Sequence, residues 1–226
     1  MVKQELIDRS PVRFFEKALN GGIKPGEIGV LASKKGVGKT SVLVQLGLDG
    51  LLQGKQVVHV SFDQHTSYTM SWYEDIFIEM SKKKKLEKAI DVKDDIIKNR
   101  TVLNFNQYSV STTQIITTLT ALSQGGIKTD YLIIDGLDFS KRTKADFESI
   151  KEYATKENVV VWYSYNTEGT DLKSILSDDF LPLFDAVVFF EPKADSTQLK
   201  ILKVRNETPN NVNLKLDSKT LLIAEK

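Results

Sequence analysis

At 226 residues and 41% hydrophobic composition, the chain is long enough to bury a full core and short enough to form one domain, expected to be α/β. Lys plus Arg number 31 against 30 for Asp plus Glu, so no overall field draws it onto nucleic acid or an anionic membrane, and such a partner would need a local patch. The absence of cysteine excludes a disulfide scaffold, a thiolate metal site and a cysteine nucleophile, and fits a reducing compartment.

Taken in chain order, Met1-Val2-Lys3-Gln4-Glu5 lacks the apolar core of a signal peptide. No apolar run nears the roughly 18 residues that span a bilayer, so a cytoplasmic protein without membrane insertion is expected. Ser10-Pro11 reads as an N-cap followed by proline at the first helical position, opening a helix over about 11–19 that Asn20-Gly21-Gly22 ends. Ile28 to Ala32 is a buried strand, and a glycine-rich turn then feeds a helix whose Val42, Leu43, Leu46, Leu48 and Leu51 form an apolar face. Gly54 stops that helix. Val57 to Phe62 predicts a second strand, Tyr68 to Met80 an amphipathic helix, the charged stretch Lys82 to Arg100 a further helix, and Thr101 to Phe105 a third strand.

Thr112 to Ser123 and Lys144 to Lys156 read as helices, Tyr131 to Ile134 and Val159 to Tyr163 as strands buried on both faces. Strand alternating with helix implies a mostly parallel central sheet with helices on both faces. The tail differs. Ala186 to Phe190, Leu199 to Val204, Val212 to Leu216 and Leu221 to Ile223 read as strands without helices between them, an antiparallel C-terminal extension over about 186–224. There is no internal repeat and no Pro-rich or Gly/Ser-rich linker, so residues 1–226 are expected to form a single domain.

The segment Ser33-Lys34-Lys35-Gly36-Val37-Gly38-Lys39-Thr40 predicts a P-loop, with Ser41 continuing the site. Backbone N–H groups converge on phosphates there, a helix N-terminus adds partial positive charge, the lysine neutralises the β and γ phosphates, and the next hydroxyl ligates Mg²⁺. Gly36 and Gly38 allow close backbone approach. A preceding apolar strand and a following amphipathic helix separate this pattern from a chance glycine turn. Ser33 stands where the consensus has glycine, and Lys34 and Lys35 add two positive charges to the loop. Tyr131-Leu132-Ile133-Ile134-Asp135 is an apolar strand ending in an acid; at the C-terminal edge of a parallel sheet, Asp135 would hold Mg²⁺ through its water shell. Asp138 is a second candidate acid. The expected ligands are therefore ATP and Mg²⁺.

Leu19-Asn20-Gly21-Gly22-Ile23-Lys24-Pro25-Gly26-Glu27-Ile28 ahead of the P-loop resembles the entry of RecA-superfamily P-loop ATPases of the KaiC, RadA and DnaB kind. The resemblance continues through Gly54 to Asp63, the strand ending at Asp135, and Lys203-Val204-Arg205, covering nearly the whole chain as one RecA-like domain. It implies Lys39 and Thr40 for triphosphate and Mg²⁺ and Asp135 as the Walker B acid. Where the family has a catalytic glutamate that orients water, this chain has Asp63 followed by Gln64. Aspartate is one methylene shorter, and general-base catalysis, contributing about 10² to 10⁴ in rate, depends first on reach. Asp63 also reads as a solvated strand-end acid.

Lys203 and Arg205 match the family's lysine and arginine fingers, which act in trans on a neighbouring subunit's nucleotide and so imply a ring or filament of identical chains. At i, i+2 on a strand they would share one face. The alternative is an exposed basic strand face shared with Lys193 and Lys200. Asn166 sits where the family often has a polar γ-phosphate sensor.

Other features read as structural. Lys82 to Lys85 is surrounded by Glu79, Glu87, Asp91, Asp94 and Asp95 and reads as a solvated helix face rather than a nucleic-acid patch. His59 alternates within an apolar strand as an interior histidine; His65 falls in the loop after Asp63. Trp72, Tyr73 and Phe77 lie at helical spacing as core or interface. The expected function is an ATP-binding, RecA/KaiC-like ATPase or nucleotide-dependent switch that acts as an oligomer and hydrolyses ATP slowly if at all. A non-hydrolytic regulator or scaffold with a protein partner, and a DNA- or RNA-handling ATPase, are the alternatives.

Overall fold

The structure is a computed structural model that describes residues 2–62, 64–84, 89–210 and 212–225. Among these residues nine strands form one sheet: β1 (Ile28–Ser33), β2 (Val57–Phe62), β3 (Arg100–Phe105), β4 (Tyr131–Asp135), β5 (Val160–Asn166), β6 (Ala186–Pro192), β7 (Ser196–Val204), β8 (Leu214–Asp217) and β9 (Ile223–Glu225). Their order is β3-β2-β4-β5-β1-β6-β7-β8-β9. The first six in that order run parallel, and β7, β8 and β9 add antiparallel. The expected α/β class, with its mostly parallel sheet and antiparallel C-terminal strands, is observed.

Strand period decides the two layers. Val57, Ile133 and Trp162 turn to one face, while Val58, Val60, Leu132, Ile134, Val161 and Tyr163 turn to the other, because successive side chains alternate across a sheet. The first face is covered by α1 (Val2–Asp8), α2 (Val12–Ala18), α3 (Lys39–Leu52), α4 (Thr66–Lys84) and α5 (Ala89–Ile97). The second is covered by α6 (Thr112–Gln124), α7 (Lys144–Glu157) and the short α8 (Leu172–Ile175). Capping boxes at Ser111–Gln114 and Thr143–Asp146 set the starts of α6 and α7.

Three local readings shift. The N-terminal helix expected over 11–19 runs from Val12 to Ala18, and α1 precedes it, a seven-residue helix too short to show a period in sequence. The expected apolar face of α3 widens to the whole helix, since Lys39 and every residue from Ser41 to Leu52 are buried. Neighbours supply the reason: α3 lies on the sheet and is flanked by α1, α2, α4 and α5. Finally, the charged stretch contains two helices, α4 ending at Lys84 and α5 beginning at Ala89, with Lys85 outside the described residues.

Gln45, buried in α3, ties the C-terminal strands to this layer. Its Nε2 donates to Leu221 O at 2.9 Å and its Oε1 accepts from Ile223 N at 2.9 Å, so an amide satisfies the backbone entering β9. These bonds hold β8 and β9 over the N-terminal half of α3. Among the described residues no helix is long and apolar enough to cross a membrane.

Candidate functional site

On the α3 face, the strands change from apolar to polar at their C-terminal ends. Ser33 of β1, Ser61 of β2, Asp135 of β4 and Ser164 of β5 are all buried there. The loop after β1 passes through Gly36 and Gly38, with φ of 82° and 103°, and enters α3 at Lys39. Both φ values lie in the left-handed region that glycine occupies without steric cost. At Gly38 the requirement is double, because a Cβ would also lie 2.4 Å from Leu216 Cδ2. The turn directs the first N–H groups of a 14-residue helix into a cavity of about 500 Å³.

Lys39 Nζ is held by three oxygens, Ser33 O at 3.1 Å, Ser33 Oγ at 2.9 Å and Lys34 O at 2.9 Å. All three acceptors are uncharged. Burial lowers the Lys39 ammonium to about 8, with the charge of Asp135 pulling the other way. The Ser33 hydroxyl thus bridges Lys39 and Lys34, accepting from Lys39 Nζ and donating to Lys34 O at 2.8 Å.

Asp135 is held by one hydroxyl on each oxygen. Thr40 Oγ1 donates to Oδ2 at 2.8 Å and Ser164 Oγ donates to Oδ1 at 2.5 Å, while Gly136 N donates to Ser164 Oγ at 2.8 Å. The fold therefore brings together the hydroxyl and the acid singled out in sequence, 95 residues apart in the chain. Mg²⁺ favours oxygen donors, needs few of them from protein, and completes its shell with water and phosphate. Thr40 and Asp135 fit that donor set. Asp138 is engaged elsewhere: it accepts from Ser140 N and Oγ and pairs with Lys141 at 3.4 Å.

The other loop residues divide. Lys34 and Lys35 are exposed, and Lys34 pairs with Glu168 at 2.6 Å. Lys35, Gly36, Val37, Ser41, Gln64 and Asn166 line the cavity. Ser41 Oγ donates to Gly38 O at 2.8 Å. Asn166, expected just past its strand, is the last residue of β5. Asp63, which the resemblance implies for the catalytic position, lies outside the described residues.

Lys203 and Arg205 lie far from this cavity. Val204, which ends β7, pairs with Ala186 at the start of β6, and β6 runs parallel to β1, so both residues sit at the opposite end of the sheet from the Gly36–Gly38 loop. Along a six-residue strand that separation is about 20 Å. Lys203 Nζ donates to Leu181 O at 2.8 Å and Phe184 O at 2.6 Å. Arg205 lies one residue past β7 with φ of 48°, so the expected shared strand face does not extend to it. Its Nε and Nη2 pair with the two oxygens of Glu27 at 2.7 Å each, and Nη2 also donates to Gly22 O at 2.7 Å.

Sequence reasoning missed much of the cavity wall. Tyr68 and Trp72 of α4 form an edge-to-face pair with centroids 6.3 Å apart at its mouth, and Pro192, Thr197, Leu216, Asp217, Ser218 and Leu221 close the side formed by the C-terminal strands. Trp72 read only as core or interface, whereas its companions Tyr73 and Phe77 are indeed buried core. Ser164 had a readable signal, a hydroxyl directly after the apolar run Val159 to Tyr163. The C-terminal wall had none, because only pairing through β6 and β7 carries it to the Gly36–Gly38 loop.

His59 is fully buried on β2. Its Nδ1 is 3.2 Å from Tyr73 Oη, and its Nε2, which has no hydrogen-bond partner among the described residues, is 4.0 Å from Asp135 Oδ2. Burial pushes the imidazole down to about 4, against the pull of Asp135, and leaves it neutral near pH 7. No family model matches the chain, and no curated protein matches it.

Proposed function

We propose that the protein binds ATP with Mg²⁺ as a RecA-like P-loop nucleotide switch that hydrolyses slowly if at all and acts as an oligomer. One observation carries the reading: Lys39, Thr40 and Asp135 converge at the N-terminus of α3 on the wall of a cavity of about 500 Å³, with Thr40 and Asp135 hydrogen-bonded at 2.8 Å. The helix end and the loop N–H groups suit phosphate, the ammonium suits its charge, and the two oxygens suit the cation. The parallel sheet and its antiparallel C-terminal extension are compatible with a RecA-like arrangement.

Slow turnover is supported by the pairing of Arg205 with Glu27. Neither Lys203 nor Arg205 reaches the cavity of its own chain, so only another copy could present them, and Arg205 would first have to leave Glu27. Giving up two charge-assisted hydrogen bonds opposes that step. The same feature favours the second reading, a nucleotide-binding regulator that transmits occupancy without turnover.

A fluorescent ATP analogue titrated with and without Mg²⁺ tests the binding claim. Saturable binding that is lost in Lys39→Ala supports it; no binding by the wild type defeats it. Phosphate release alongside sizing in ATP then separates switch from regulator, with release that disappears in Arg205→Ala favouring the oligomeric ATPase.

A further inference from the structure

The buried His59 lies beside Asp135, and its surroundings decide which ring nitrogen carries the proton. His59 and Ser61 point to the same face of β2, and Ser61 pairs in register with Asp135 on β4, which brings the imidazole beside the carboxylate. A neutral imidazole has one N–H. If that hydrogen sat on Nδ1, the Nε2 lone pair would face the Asp135 carboxylate across 4.0 Å in a buried site, an electrostatically unfavourable arrangement. With the hydrogen on Nε2, the positive end of the N–H lies nearer the carboxylate, at 4.0 Å between Nε2 and Oδ2 and thus beyond a hydrogen bond, and Nδ1 accepts from Tyr73.

Tyr73 is placed to make that donation. Burial raises its pKa well above the usual tyrosine value, so the hydroxyl keeps its proton. Arg100 lies over its ring at 4.7 Å, and a cation on the π face strengthens the phenol as a donor. The hydroxyl is also packed against α3: a Cβ added at Gly47 would lie 2.5 Å from Tyr73 Oη. Glycine at this position lets the phenol approach the helix.

We propose that His59 is a positioning residue for the Mg²⁺-holding carboxylate: the Asp135 charge selects the Nε2–H tautomer, Tyr73 anchors the ring by donating to Nδ1, and the N–H dipole acts on the Asp135 oxygen that also accepts from Thr40. The consequence for Mg²⁺ rests on the nucleotide-binding reading above, whereas the tautomer does not. The relay runs from Arg100 at the edge of the sheet through Tyr73 and His59 to the shared oxygen. Outer partners of this kind orient a ligand without touching the metal.

Two measurements on the full chain test it. In nucleotide-free protein, long-range ¹H–¹⁵N NMR of His59 is expected to show the Nε2–H tautomer, retained in Tyr73→Phe and mixed in Asp135→Ala; an Nδ1–H tautomer in the wild type overturns the proposal. In fluorescent ATP-analogue titrations, His59→Phe is expected to lose about tenfold of the affinity gained on adding Mg²⁺, while affinity in EDTA stays within about twofold. Tyr73→Phe, which keeps the ring packing, is expected to show a smaller loss of the same kind and decides the matter if His59→Phe does not fold. Full retention of the Mg²⁺ effect, or an equal loss with and without Mg²⁺, overturns the positioning role. If the wild type binds no nucleotide, the reading in the preceding section fails, and the tautomer measurement alone decides this one.

Discussion

The two ends of β1 each hold a partly or fully buried cation, and they hold it in opposite ways. At the C-terminal end Lys39 is bonded only to neutral oxygens, so its charge is oriented and desolvated but not cancelled. At the N-terminal end Arg205 is cancelled by a two-point pair with Glu27. A desolvated, uncancelled cation is poised for an incoming anion; a paired one fastens the fold. Charge alone therefore does not mark a site, and the partner of the charge does.

The largest test of that contrast is Lys39→Ala. It is expected to weaken ATP binding about 100-fold, the equivalent of losing one charge-assisted contact of about 3 kcal/mol, without lowering the unfolding free energy of the ligand-free protein. Isothermal titration and urea unfolding would check the two halves. Arg205→Ala is expected to do the reverse, lowering unfolding free energy by about 1–2 kcal/mol after allowance for solvent screening, while the isolated chain's ATP affinity stays within about twofold. An Arg205→Ala chain that unfolds as the wild type does would break the comparison.

Gly38→Ala sharpens the loop side. Its φ of 103° should cost an L-residue about 1–2 kcal/mol, in addition to the contact with Leu216, and nucleotide affinity should fall with it. Differential scanning calorimetry with and without ATP and Mg²⁺ would read both effects. The smallest expected effect lies in acid. Glu27 is pushed up by burial, but hydrogen bonds from Arg205 and Lys24 outweigh this and leave its pKa below 4.5. A depressed folded pKa contributes stability above the unfolded value that is lost as pH falls through the folded one. Urea midpoints measured from about pH 5 to pH 3 should therefore fall less steeply in Glu27→Gln than in the wild type.

Much of the fold was legible because each strand and helix carries its own period. The apolar runs at Ile28, Val57, Tyr131 and Val159 became the parallel core, and the tail's change to strands without helices became the antiparallel extension. Helix α1 was not legible, since two turns give no pattern to detect. Nor was the burial of α3 on all sides, which depends on four other helices packing around it. The two residues read as fingers, i and i+2 in sequence, parted company because the strand ends at Val204 and the backbone turns at Arg205.

The sequence by itself determined the loop, the helix that starts at Lys39 and the acid that ends β4, because each is a local pattern set by backbone and side-chain period. Only the tertiary structure decided what surrounds them. The bond between Thr40 and Asp135, the histidine beside that acid, the wall formed by Leu216 and Leu221, and the pairing of Arg205 with Glu27 all join residues far apart in the chain. Such contacts follow from strand order and register, which no local period encodes.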